Sequence, residues 1–247
     1  MANGRCVVVT GAGSGLGRAL AHRFTRHGDA VILLGRTRAK VEAVAAELGP
    51  AACAVVCDVG SADSVRTAFA EIAERHPRID VLINNAAIYQ PVFVKDATDA
   101  QIEAAVMTNF TGPIYCARAV VPLMQRGGHI INISSETVSL PHAMFSLYQS
   151  SKAGLERFTE ALRAELEPEG IRVTMARAGQ MHGEDSRSPS DDADVLRRFA
   201  EENLKRGLDF RARPISTFES VAELVRLLTQ LPEDLNVPQI MLEGRRP

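Results

Sequence analysis

The chain reads as an α/β protein built on a doubly wound parallel sheet. Seven short runs rich in Val, Ile and Leu, at 5–10, 30–34, 52–57, 79–83, 129–133, 171–175 and 238–242, are separated by amphipathic stretches. Strands buried on both faces by helices give that pattern of near-continuous apolar runs. A glycine-rich turn directly after the first run supports it, because such a turn joins a strand to the helix that follows. At 247 residues the chain fits one large domain, and no linker divides it.

Composition narrows the function classes. The net charge is -2, and Lys and Arg are scattered rather than gathered in a stripe, which argues against nucleic-acid and membrane surfaces and for small molecules or copies of the chain as partners. The first five residues lead straight into Cys6-Val7-Val8-Val9, leaving no room for a signal peptide, and no apolar run reaches membrane-spanning length, so a cytoplasmic location is expected. Cys6, Cys53, Cys57 and Cys116 lie in or near apolar stretches. Cys53 and Cys57 have no second Cys or His pair nearby, so no metal site is expected.

The first run ends in Thr10-Gly11-Ala12-Gly13-Ser14-Gly15-Leu16-Gly17. Without Cβ atoms such a turn brings backbone N–H groups close to a pyrophosphate, which then sits at the positive end of the next helix. Gly11, Gly13, Ser14, Gly15, Leu16 and Gly17 are therefore candidate cofactor-binding residues. The spacing excludes G-x-G-x-x-G, the Walker A loop and the G-x-S-x-G nucleophile elbow, and leaves T-G-x-x-x-G-x-G. The second run ends Leu34-Gly35-Arg36, where a site for NAD(H) commonly carries an acid on the adenosine ribose. Gly35 removes that carboxylate and Arg36 can pair with a 2′-phosphate, so NADP(H) is the expected cofactor and NAD(H) the runner-up.

Tyr148 and Lys152 stand four residues apart at the start of a helical stretch, which puts both on one face. A free phenol, with a pKa of about 10, is a poor acid at neutral pH. A cation about 4 Å away at an effective dielectric of about 20 contributes roughly 4 kcal/mol, about three pKa units, which would bring the phenol near 7.

With Thr10-Gly11-x3-Gly15-x-Gly17, Asn84-Asn85-Ala86-Ala87, Asn109, Ser135 and Tyr148-x3-Lys152 in this order, the chain resembles the short-chain dehydrogenase/reductase family over nearly its whole length. The resemblance implies a Rossmann-type single domain and an oxidoreductase. It also implies a catalytic set of Asn109, Ser135, Tyr148 and Lys152, with Ser135 and Tyr148 contacting substrate. Tyr148 would be the general acid in ketone reduction and the base in alcohol oxidation. Lys152 would lower its pKa and hold the nicotinamide ribose, Ser135 would orient the carbonyl, and Asn109 would hold a water in the proton relay. Without the resemblance, Asn109 reads as a helix-bend residue. Asp58 and Val59 match adenine contacts, and Asn85, Ala86 and Ala87 match a turn beneath the adenosine ribose, with Ala87 in place of glycine. Gly179 and Met181 match the nicotinamide end, where Ala178 replaces the usual proline and Gly183 the usual threonine.

The remaining segments concern substrate and assembly. Tyr89 to Val94, Glu136 to Phe145 and Met181 onward are expected to wall the pocket. Val92, Phe93, Leu140, Met144 and Phe145 favour a lipophilic carbonyl or secondary alcohol over a free sugar. Glu136, His142 and His182 are read as solvated groups near the mouth. Polar His182 to Asp194 and the amphipathic stretch after it, to about 210, form either a lid or a surface insertion. The resemblance implies packing across subunits by helices from about Ala100 to Gln125 and from Gln149 to Glu167, giving a homodimer or homotetramer. Two alternatives stand beside the oxidoreductase: an epimerase or dehydratase, against which the position of Ser14 in the turn counts, and a non-catalytic NADP-binding sensor or scaffold.

Overall fold

The computed structural model describes residues 4–186 and 188–245. Its central sheet has seven strands: β1 (Cys6–Thr10), β2 (Ala30–Gly35), β3 (Ala52–Val56), β4 (Val81–Asn84), β5 (His129–Ser135), β6 (Arg172–Ala178) and β9 (Gln239–Leu242). They lie in the order β3-β2-β1-β4-β5-β6-β9, and every pairing is parallel. Two short strands, β7 (Met181–His182) and β8 (Ser216–Thr217), pair separately. The helices are α1 (Gly15–Arg26), α2 (Arg38–Leu48), α3 (Ala62–Arg75), α4 (Asp99–Val106), α5 (Gly112–Val120), α6 (Ser146–Leu166), α7 (Ala193–Leu204) and α8 (Phe218–Leu228).

Alternation along the strands separates two cores. Val8, Ile32, Leu82 and Ile130 face one side with residues of α3 and α5, whereas Val7, Val31, Ile83 and Ile131 face the other with α1 and α8. The apolar runs of the sequence are this two-sided burial. β5 and β6 extend past the predicted apolar runs, to Ser135 and Ala178, because polar residues continue the ladder: Ser134 pairs with Arg177 and Ser135 with Ala178. Strand order reverses between β1 and β4, which opens a crevice beyond the carboxyl ends of the strands.

Buried polar groups set the position of α6 against the sheet. Asn84 Nδ2 donates to Asn132 Oδ1 at 2.8 Å, and Asn132 Nδ2 donates to Thr159 Oγ1 at 2.9 Å, joining β4, β5 and α6. Ser134 Oγ donates to Glu156 Oε1 at 2.7 Å, while Arg177 reaches both oxygens of the same carboxylate at 2.8 and 2.6 Å. Each buried group is thereby satisfied, which restricts α6 to one register on the sheet.

Candidate functional site

Thr10 and Asn85 build the floor of the crevice. Asn85 N and Ala86 N donate to Thr10 Oγ1 at 2.9 and 3.0 Å, and Asn85 Nδ2 donates to Thr10 O at 2.9 Å. The ends of β1 and β4 are thus fastened together. Gly11 has φ +67°, and a Cβ there would lie 2.9 Å from Ala86 Cα, so the turn requires glycine on both counts. A Cβ at Gly17 would collide with Gly11 O and Asn85, so Gly17 serves close packing rather than lining the cavity. Ser14 caps α1 without a side-chain hydrogen bond, and no acid stands in the first turn. The helix therefore presents N–H groups and a positive end to the cavity, a cradle that fits a pyrophosphate.

Gly13, Ser14, Gly15 and Leu16 line a cavity of about 640 Å3, with Arg36 and Lys40 at the same end. Lys40, in the first turn of α2, went unread in the sequence; its signal is a second cation four residues after Arg36. Gly35 is tied to packing, since a Cβ there would lie 2.7 Å from Val41 Cγ1. Val59, Ala86 and Ala87 also line the cavity, as do Gly179 and Met181 at the far end. Asp58 does not line it. Its carboxylate accepts from Gly60 N at 3.0 Å, closing the turn before α3.

Ser135, Tyr148 and Lys152 meet in the wall beyond. Ser135 Oγ accepts from Thr137 N at 3.2 Å and Thr137 Oγ1 at 3.0 Å, which leaves its own proton for another acceptor. Tyr148 and Lys152 share one face of α6, as the spacing predicts, but the electrostatics run against the expected lowered phenol. Burial pushes Tyr148 up to about 12, with the Ser135 hydroxyl opposing the rise and Tyr89 adding to it. Burial brings Lys152 down to about 8, against the pull of Glu156. The expectation placed the ammonium about 4 Å from the phenol. Lys152 Nζ donates to Ile133 O at 2.6 Å, and burial of the phenol is the largest influence on Tyr148.

Asn109 is buried and does not line the cavity. It sits in a π-helical turn, Met107–Thr111, between α4 and α5. Pro113 has no N–H for the Asn109 carbonyl, which accounts for the widened turn. The Asn109 amide accepts from Ile88 N and donates to Ile88 O, both at 2.7 Å, and donates to Ser151 Oγ at 3.1 Å. These contacts tie the segment after β4 to α6.

The pocket walls differ from expectation in three places. Val92, Phe93 and Met144 line a second cavity, of about 550 Å3, against α7, while Leu140 borders neither. Glu136 and His142 are buried at 8% exposure each, whereas His182 is exposed. Glu136 pairs with Arg213, yet burial still raises its pKa. Leu196, Phe199 and Ala200 of α7, together with Ser186, Pro189 and Phe210, line the main cavity; Arg187 lies outside the described residues. Arg18 of α1 holds the start of that segment through Glu184 and Asp185, each at 3.0 Å.

Glycine at 183 has a packing cause. A Cβ at Gly183 would lie 2.6 Å from Phe218 Cδ2, and one at Gly15 would lie 3.5 Å from Phe218 Cζ. The Phe218 ring, at the start of α8, fills the space between the phosphate turn and Gly183, where a threonine side chain would stand. Gly183→Thr is therefore expected to overpack the site by about 1–3 kcal/mol and lower the melting temperature by at least about 2 °C, with partial recovery in Gly183→Thr/Phe218→Ala. An unchanged melting curve in the single variant would show that the ring is not held there.

A family model described as short chain dehydrogenase matches residues 5–193. The chain belongs to the short-chain dehydrogenase family. This dehydrogenase is 32% identical over 236 residues to the NADP-dependent 3-hydroxy acid dehydrogenase of Salmonella typhi, covering 94% of this chain and 91% of that one. It is 30% identical over 246 residues to serine 3-dehydrogenase of Rhizobium radiobacter, covering 96% and 92%. A solved short-chain dehydrogenase from Burkholderia cenocepacia J2315 in complex with NADP matches it with a TM-score of 0.83 at 27% identity, over 98% of each chain. No helix among the described residues is long and apolar enough to cross a membrane, and no group of three or more His, Cys, Asp or Glu in them could hold a metal ion.

Proposed function

We propose that this short-chain dehydrogenase is an NADP(H)-dependent oxidoreductase acting on a carbonyl or secondary alcohol of largely apolar character, with Tyr148 as general acid and base. The observation that carries the reading is one continuous cavity with the glycine turn, Arg36 and Lys40 at one end and Ser135, Tyr148 and Lys152 further along. The NADP named for two of the proteins compared above supports the choice of cofactor.

When bound, the nicotinamide supplies or accepts the hydride. The chain does the rest. Backbone N–H groups at the start of α1 hold the pyrophosphate, and Arg36 with Lys40 meets the 2′-phosphate. Ser135 directs its free proton at the carbonyl oxygen and stabilises charge as it develops there. Tyr148, protonated at neutral pH because its pKa is raised, donates the proton in reduction. Lys152 keeps a positive charge beneath it, fixed by Ile133 O.

Phe145, Phe199 and Phe210 flank the reacting end and favour apolar substrates. The sensor or scaffold alternative draws no support from a site in which Ser135, Tyr148 and Lys152 all border the cavity. Exposed Ile102 and Val106 on α4 are the surface to which we assign homodimer or homotetramer contacts. The function test is reduction of a panel of alkyl ketones, aryl ketones, free sugars and hydroxy-acid precursors with NADPH and with NADH. Turnover of apolar ketones with NADPH is expected, and a preference for sugars over every ketone would overturn the apolar reading.

A further inference from the structure

An aromatic path leads away from Tyr148 along the cavity. Phe145 lies 5.5 Å from the Tyr148 ring, Phe199 lies 4.5 Å from Phe145, and Phe210 stacks on Phe199 at 5.1 Å, centroid to centroid. The path ends on a different chemistry. His142 stacks on Phe210 at 5.6 Å with 12° between planes, and its ring lies 6.0 Å from that of Phe145.

His142 lines the cavity at 8% exposure, and both its ring nitrogens are buried without a hydrogen-bond partner among the described residues. Asn203 lies beside it and opposes the lowering of its pKa, yet neither ring nitrogen has a formed hydrogen bond to it; Asn203 Oδ1 accepts from Ala143 N at 3.0 Å and Nδ2 donates to Phe199 O at 2.7 Å. Gln180 Oε1, in the same cavity wall, is likewise buried and unpartnered. A buried donor or acceptor left unsatisfied costs about 1–3 kcal/mol. Two such side chains lining one substrate cavity mark a place where a ligand supplies the missing partners.

The environment selects a neutral ligand group. Burial, with Arg213 nearby, keeps the imidazole below its ordinary pKa, so it presents one donor and one acceptor at neutral pH. Arg213, the cation acting on it, is already paired with Glu136. The Arg213–Glu136 pair carries no net charge to attract a substrate carboxylate, whereas a hydroxyl can accept from or donate to the neutral imidazole.

We propose that His142 is the specificity-determining residue of a polar subsite in the substrate cavity, taking an uncharged hydroxyl or carbonyl at the remote end of an otherwise apolar ketone or secondary alcohol. This rests on the ketone-reductase reading above. Tyr148 acts on the reacting oxygen, Phe145 packs on the apolar middle, and His142 binds the far group.

The test compares methyl hexyl ketone with its ω-hydroxy and ω-carboxy analogues, using NADPH and the full-length protein. The wild type is expected to show about tenfold higher kcat/KM for the ω-hydroxy ketone than for the plain one, and lower activity on the ω-carboxy ketone. His142→Phe keeps the stack on Phe210 and should remove that preference by raising KM for the hydroxylated ketone more than for the plain one. His142→Gln, which restores a donor and an acceptor, should recover part of it. Equal kcat/KM for plain and hydroxylated ketones in the wild type overturns the subsite while leaving the reductase reading intact, as does a preference for the carboxylate. A preference unchanged in both variants, or an equal loss on both ketones, overturns the role of His142. Failure to reduce any of the three ketones overturns the reductase reading and the subsite with it.

Discussion

Tyr148→Phe is expected to lower carbonyl-reductase turnover by about 10²- to 10⁴-fold, the range for loss of a positioned general acid. The fold should be unaffected, because phenylalanine keeps the ring that packs at 5.5 Å against Phe145 and 6.2 Å from Tyr89. Substrate KM should change little, since what is lost is a proton delivered in the transition state. The pH profile adds a second readout. Reduction needs the phenol protonated, which holds below its raised value of about 12, and the Lys152 ammonium charged, which holds below about 8. Wild-type reduction should therefore stay level through neutral pH and decline as pH rises through about 8. Alcohol oxidation, which needs the phenol to lose its proton, should gain with pH. A Tyr148→Phe enzyme with more than about a tenth of wild-type turnover falls outside the stated range and would remove the assignment.

Replacing Arg36 and Lys40 together by leucine is expected to raise KM for NADPH by roughly 10- to 150-fold and leave KM for NADH nearly unchanged. Charge-assisted hydrogen bonds to a phosphate contribute about 1.5–3 kcal/mol, and 1.4 kcal/mol is tenfold. Both side chains are exposed at the rim, so the effect should shrink as salt is raised. Gly35→Asp is a poor route to NAD(H), because its Cβ would press on Val41 at 2.7 Å. A double variant that weakens both cofactors equally would place the two cations outside the adenosine end.

Much of this protein can be read along the chain, for identifiable reasons. The seven strands are legible because a parallel sheet covered on both faces makes each strand an unbroken apolar run. Thr10 to Gly17 is legible because only glycine tolerates the φ of Gly11 and the approach of Ala86. Tyr148 and Lys152 are legible because helical spacing alone puts them on one face. Other features resisted. Val92, Phe93 and Met144 have the apolar character of a substrate wall, but α7 draws them to a separate cavity. Glu136 and His142 have the polarity of solvated residues, but Arg213 and Phe210, about seventy residues further along, cover them.

By itself, then, the sequence determined the doubly wound sheet, the phosphate turn and the helix face carrying Tyr148 and Lys152, all of which depend on residues close together in the chain. The tertiary structure alone decided how those groups are tuned. Phe218 takes the space that Gly183 leaves, Ile133 O holds the Lys152 ammonium, and burial raises Tyr148 where a neighbouring cation was expected to lower it. The reason is that desolvation and close packing depend on which distant segments meet, and local spacing carries no record of that.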